Sequence, residues 1–350
     1  MLLAPLPLLQ QAVSIPSLSG HEAGVAEFLV GQLATFANET FVDEAGNAVG
    51  RVGSGPVQVT FLGHIDTVAG NVPVRVEDSK LYGRGSVDAK GAFCTAVAAA
   101  STLPADAKSR ITLRLIGAVE EEAPSSKGAR FAVEAYPKPD LLIIGEPSSW
   151  DAITLGYKGR LVVKLEHHKA NFHSAGDDTT AAEDVVSAWQ DVQTYISELN
   201  QDVKGIFDAI QVSLQSIQSD NDGLNQCCWA TLGFRLPLAH PPEAVEAVLA
   251  PMLEPFTTTI SGREQAHRAT KDNPLSRAFR VAIREHGGKP RFKVKTGTSD
   301  MNVVAPYWNV PMLAYGPGDS ALDHTPNEHV EVAELERAVT VLSHVLHQLG

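Results

Sequence analysis

The chain has 350 residues, 44% of them hydrophobic, and carries 28 Lys and Arg against 41 Asp and Glu, a formal charge of −13. That length exceeds what one hydrophobic core usually organises, so two domains are expected. The negative balance repels phosphate backbones and anionic lipid surfaces, which argues against nucleic acid or a membrane as partner.

In chain order, the apolar start Met1 to Leu9 lacks a basic n-region and is broken by Pro5 and Pro7. It reads as neither signal peptide nor span, and no later apolar run reaches membrane length. Apolar residues from Leu9 to Phe36 fall at helical spacing, interrupted by Pro16-Ser17-Leu18-Ser19-Gly20. Two helices with a turn are predicted, the serines serving as caps for the second. Residues 57–62, 111–116, 141–144 and 311–315 are short apolar runs of the kind found in strands covered on both faces. Helical stretches at Ala89 to Ser101 and Ala129 to Ala135 lie between some of them, an alternation that predicts an α/β layered domain with a largely parallel sheet. From Ile153 to about Ser261 the texture changes. Strands over 160–166, 209–214 and 229–236 and helices over 181–199 and 241–253 predict a smaller α+β domain inserted into the first. The division is drawn at 1–154 with 265–350 for the larger domain and 155–264 for the inserted one, with hinges at 156–159 and 261–270. Cys94 stands alone and Cys227 and Cys228 are adjacent, so no disulfide framework or CxxC metal site can be written, and a reducing cytoplasm fits.

Candidate chemistry sits just past the predicted strands. His64 and Asp66 follow the first, Glu120-Glu121-Glu122 the second, Glu146 the third, and His324 lies beyond the fourth. Sites in open α/β sheets form outside the carboxyl ends of strands, so one crevice is expected to collect them. His64 and Asp66, two apart on an extended segment, point to the same side, which lets Asp66 orient the imidazole. Glycines at 83, 85 and 91 turn the backbone tightly around Asp88. The segment fits neither GxGxxG nor GxxxxGK[ST], so Asp88 reads as a carboxylate offered between cations and not as part of a nucleotide loop. Three consecutive glutamates after a buried strand are costly unless a cation or water meets them. Imidazole and carboxylate without thiolate suit Zn²⁺, Co²⁺ or Mn²⁺.

Gly63-His64-Ile65-Asp66-Thr67-Val68, the Gly83 to Gly91 segment, the glutamate run, Gly145-Glu146-Pro147 and His324 resemble, in order and spacing, the M20 family of binuclear metallopeptidases and amidohydrolases. The resemblance spans essentially the whole chain. It implies two divalent ions per chain, zinc or else cobalt, with Asp88 bridging them, His64 and Glu146 completing one site, and Glu122 and His324 the other. It also implies catalytic roles for Asp66 and for Glu121, the latter as general base; a frame shifted by one residue makes Glu120 the base and Glu121 the ligand. His173, in Asn171-Phe172-His173-Ser174-Ala175, is similar to a lid histidine that reaches a partner subunit's site, which implies a homodimer. Asn225 and Arg235 match positions that hold a substrate carboxylate.

Further stretches, Glu121 to Arg130, Gly145 to Trp150, Gly156 to Gly159 and Lys295 to Asn302, are similar to one subgroup of that family. Its members release lysine or ornithine from the C-terminal glutamate of an amino-group carrier protein in lysine and arginine biosynthesis. The last stretch brings in Thr298 and Ser299 as substrate-binding residues, and the implied partner is an acidic carrier protein. Lys289, Arg291, Lys293 and Lys295 share one face of an extended segment and offer such a carrier a cationic stripe, the plainer reading being a solvated strand face. Deacylation of a small N-acyl amino acid, of the acetylornithine or succinyl-diaminopimelate type, and a non-catalytic metal-binding relative are the alternatives.

Overall fold

The computed structural model of the chain describes residues 2–173 and 175–349. The four apolar runs become neighbouring strands in the order Ile111–Ala118, Val57–His64, Leu141–Gly145 and Met312–Tyr315, all parallel. His64 pairs with Ala118, and Gly145 pairs with both Gly63 and Tyr315, so the four carboxyl ends finish at one level. The edges differ from the expected parallel pattern. Ala48–Gly53 and Glu39–Val42 add antiparallel strands on one side, and Ala152–Tyr157 pairs antiparallel with Met312–Tyr315 on the other. On the first side the cause is local, because the Asp43 carboxylate accepts the N–H groups of Ala45, Gly46 and Asn47 and closes a turn too short for a parallel crossover.

The helix Lys90–Ser101 has every residue buried, as its small and apolar residues on all sides permit. Its first residue, Lys90, donates to the backbone oxygens of Ile15 and Ala12 at 2.8 and 3.2 Å, placing a cation at the carboxyl end of the helix Pro5–Ser14. Burial pushes its pKa down to about 8. The second helix is Ala23–Leu33, and the serines before it do not cap it: Glu22 occupies the cap position without a side-chain bond to the helix. Ser17 donates instead to the carbonyl of Ile65 at 2.8 Å, and Ser19 to Asp66 Oδ2 at 2.7 Å.

The chain divides into two units, one of residues 1–156, 269–294 and 299–350, the other of 157–268 and 295–298. The second unit is a four-stranded antiparallel sheet in the order Gln211–Asn221, Asn225–Leu236, Gly159–Ala170 and Thr257–Glu264. Part of the stretch expected to be a hinge is therefore an edge strand. Leu161, Val163 and Leu165 alternate into a core shared with the helices Ala181–Leu199 and Pro242–Met252. The longer helix opens on a capping box between Thr180 and Glu183 and buries Ala181, Val185, Ala188, Val192 and Ile196, one stripe at helical spacing.

Candidate functional site

Because the parallel strands end level, the residues that follow them meet. His64 closes its strand, and its Nε2 lies 3.1 Å from Asp88 Oδ1 and 4.0 Å from Glu146 Oε1. Its Nδ1 lies 3.1 Å from the Asp66 carbonyl and 3.3 Å from Asp66 Oδ1. A proton held on Nδ1 by Asp66 leaves the Nε2 lone pair facing Asp88 and Glu146, the arrangement a ligating histidine needs. The other oxygen of Asp88 is 3.1 Å from His324 Nε2, which is in turn 2.8 Å from Glu122 Oε1. Asp88 thus spans two imidazoles, one with each oxygen. His64, Asp88 and Glu122 offer ligand atoms that all lie within 4.8 Å of one another.

Asp66 organises the glutamate run as well as the imidazole. It is buried, accepting the Glu121 N–H on Oδ1 at 3.1 Å and the Glu122 N–H on Oδ2 at 3.0 Å. Glu120 turns outward at a positive φ of 56°, its Oε2 accepting the Ser125 hydroxyl at 2.6 Å and its Oε1 3.8 Å from Lys127 Nζ. Its N–H donates to Glu22 at 3.1 Å.

The charges explain one another. Burial opposes a positive charge on His64, yet its hydrogen bonds to Asp66 and Asp88 outweigh that and hold its pKa well above the usual imidazole range. Hydrogen bonds to Asp88 and Glu122 raise His324 to about 10. Glu121 keeps some exposed surface as a residue, but its carboxyl is crowded. Burial pushes its pKa well up, His64 pulls against this, and Glu146, Asp300 and Glu122 add to the rise. Imidazoles driven towards cations and a carboxyl driven towards neutrality mark an excess of negative charge, which divalent ions on these oxygen and nitrogen donors would balance. The residues therefore fit a metal centre.

The remaining candidates are carried by other segments of the chain. His173 is exposed in the loop after Gly159–Ala170, its Nδ1 accepting the Ala175 N–H at 3.2 Å, while Ser174 beside it lies outside the described residues. Asn225 opens the strand Asn225–Leu236 opposite Ala170, and Arg235 lies near its end opposite Arg160. They share the polar face of the sheet but stand ten residues apart on one strand, roughly 33 Å. Arg235 donates to the Thr298 hydroxyl at 2.7 Å, and Thr298 donates to the Lys158 carbonyl at 3.1 Å. Ser299 is buried as the cap of a short helix, accepting the Met301 N–H at 3.2 Å. Of the cationic stripe, Lys289 and Arg291 are exposed, with Arg291 paired to Asp151. Lys293 is turned inward to the Ser148 carbonyl at 2.8 Å and the Ser149 hydroxyl at 3.1 Å.

Three residues beside the centre escape a reading of the sequence. Glu22 receives the Glu120 N–H, Asp300 raises Glu121, and Glu328 is buried against the Asp88 loop. Asp300 falls within the Lys295 to Asn302 stretch without being singled out there, Glu22 belongs to no motif, and the hint for Glu328 is that it stands four residues past His324.

Residues 60–348 match the peptidase family M20/M25/M40. The chain belongs to this family. As an M20 hydrolase it resembles a LysW-lysine hydrolase of Deinococcus radiodurans, 56% identical over 350 residues that cover 98% of this chain and 96% of that one. A Thermococcus kodakarensis protein, provisionally named a LysW-lysine/LysW-ornithine hydrolase, is 38% identical over 97% of this chain and 91% of its own length. Among solved structures, an M20 family metallo-carboxypeptidase of Sulfolobus solfataricus shares the fold at a TM-score of 0.81 and 16% identity, with 98% of each chain covered. No helix among the described residues is long and apolar enough to cross a membrane.

Proposed function

We propose that this M20 hydrolase releases lysine, and ornithine as a second amino acid, from the C-terminal glutamate of a LysW-type carrier protein in the cytoplasm. The observation that carries the reading is Asp88 set between His64 and His324, in a chain 56% identical to a LysW-lysine hydrolase. Asp88 would be the shared ligand of two divalent ions, zinc or cobalt, with His64 and Glu146 on one and Glu122 and His324 on the other. Such ions, when bound, polarise the scissile carbonyl and acidify water at neutral pH.

The chain's own residues do the rest. Glu121, whose carboxyl has a raised proton affinity, takes the proton of the attacking water and passes it to the leaving α-amino group. Asp66 fixes both Glu121 and His64, so base and ligand keep one geometry. The outward turn of Glu120 and the contact of Glu122 with His324 support Glu121 as base and Glu122 as ligand, and disfavour the shifted frame.

A homodimer is supported by the inserted unit itself, which would act as lid and dimerisation domain. His173 and Asn225 stand at one end of its sheet and Arg235 and Thr298 at the other, too far apart for one small substrate to touch both. Both pairs can serve one site only if two chains contribute.

An acidic partner is supported by charge asymmetry. Residues 271–295 hold eight cations against two acids in a chain of net charge −13. Arg277 and Arg284 on the helix Pro274–Glu285, with Lys289 and Arg291 after it, are exposed. Lys293 links that segment to Ser148, two residues past Glu146. Incubation with a carrier bearing γ-linked C-terminal lysine, followed by mass measurement, should yield free lysine and a carrier lighter by one lysine residue, its glutamate γ-carboxylate restored. A carrier returned intact beside rapid cleavage of acetylornithine would replace this substrate with a small acylated amino acid.

A further inference from the structure

The place of the Asp88 carboxylate depends on where its backbone is held, and a residue far along the chain holds it. Glu328 is wholly buried, and its Oε1 accepts the N–H groups of Gly85, Val87 and Asp88 at 2.9, 3.0 and 3.1 Å. Its Oε2 accepts Arg84 Nη1 at 2.7 Å, and the Gly83 N–H donates to the Glu328 carbonyl at 3.3 Å. The loop from 83 to 88 is wound around this one residue. Gly85 takes a φ of +86°, where a Cβ would lie 2.9 Å from Thr67 Cγ2, so a left-handed glycine is what lets its N–H reach the carboxylate. Four residues before Glu328, His324 meets the carboxylate of the same Asp88. One short segment therefore grips Asp88 at both ends, its backbone N–H through Glu328 and its Oδ2 through His324.

A buried carboxylate–guanidinium pair is often no more stabilising than apolar side chains of the same volume, so stability alone does not account for Glu328 and Arg84. We infer that Glu328 is a positioning residue for the metal centre: it fixes the backbone of residues 85–88 so that Asp88 reaches both ions at once. This rests on the reading of Asp88 as their shared ligand.

The test is titration of metal-free protein with Co²⁺ alone, followed by calorimetry and by the visible absorption of the bound ion, beside circular dichroism and Tm. Glu328→Gln puts an amide N–H₂ where only acceptors are wanted. It should weaken both ions together by about 10- to 100-fold while the circular dichroism is unchanged. Arg84→Lys, which keeps the cation, should stay close to wild type. A merely structural Glu328 would lower Tm and leave both affinities alone in the folded protein, and that result overturns the inference. If Glu328→Gln does not fold, Arg84→Gln takes its place: joint weakening of both ions supports the role, and unchanged affinities refute it. A wild-type chain that takes up no pair of Co²⁺ ions would instead sink the metal-centre reading itself.

Discussion

Glu122 and His324 stand 202 positions apart in the chain and meet at 2.8 Å, Oε1 against Nε2. Their neighbour Glu121 lies one residue away and faces a different task, so amide substitutions should separate the two. Glu121→Gln should keep both ions and lose about 10²- to 10⁴-fold in kcat, the usual scale for loss of a general base. Glu122→Gln should lose metal. Metal analysis beside single-turnover rates reads both, and a metal-replete, inactive Glu120→Gln would shift the frame by one residue.

Asp66 touches no substrate in this scheme, yet it holds the Glu121 and Glu122 amides and the His64 ring. Asp66→Asn replaces one acceptor oxygen with a donor facing two N–H groups. Activity is expected to fall by about 10- to 100-fold, as is common when a ligand's supporting carboxylate is changed. The loss should appear in kcat more than in KM. Full activity in this variant would remove Asp66 from the machinery.

If His173 serves a partner's site, two inactive chains should rescue each other. Glu121→Gln mixed with His173→Ala gives some dimers in which one site has both residues intact. Recovery of activity after subunit exchange, verified by mass, is the expected result. Its absence would confine His173 to its own chain.

The exposed cations should act on association and the inward lysine on the site. Arg284→Gln with Lys289→Gln should lower kcat/KM for the carrier substrate and leave a small acylated-lysine analogue almost unchanged. Raising salt should narrow the gap between variant and wild type, since exposed charges are screened beyond roughly 8–10 Å near physiological ionic strength. Lys293→Gln should impair both substrates, because Lys293 supports the Ser148 segment. Equal losses on both substrates in the double variant would end the docking role of this surface.

The three thiols should differ in reactivity with pH. Burial lifts Cys94 to about 12, so it stays protonated from pH 7 to 9 in the native protein, and burial shifts Cys228 in the same direction. A thiolate is the reacting species, so native iodoacetamide labelling should reach only the partly exposed Cys227, and unfolding should release all three. Mass mapping that finds Cys94 modified at the rate of Cys227 would contradict its burial.

Much of the fold is legible because its signals are local. Short apolar runs mark the central strands, and the helix at 181–199 announces itself by a capping box and one apolar stripe. The edges of the sheet are less legible, since pairing direction follows from turns such as the one Asp43 closes. Long-range partners escape altogether. Ser19 looks like a helix cap until Asp66, 47 positions on, claims its hydroxyl, and nothing near Glu328 names donors 240 or more positions upstream. Asn225 and Arg235 illustrate a third limit. A motif can name both as substrate residues, but only the strand between them sets their separation.

The level ends of the four parallel strands also order events in time. Asp66 and Asp88 are made early, the glutamates next, Glu146 after them, and His324 only once the inserted unit and the last central strand have been synthesised. A nascent chain on the ribosome therefore presents an acidic half-site before the imidazole that closes it exists. On the proposed reading of Asp88 as a shared ligand, capture of a matched pair of ions would be a late step of biogenesis, and chains interrupted before His324 would bind single ions without a working centre.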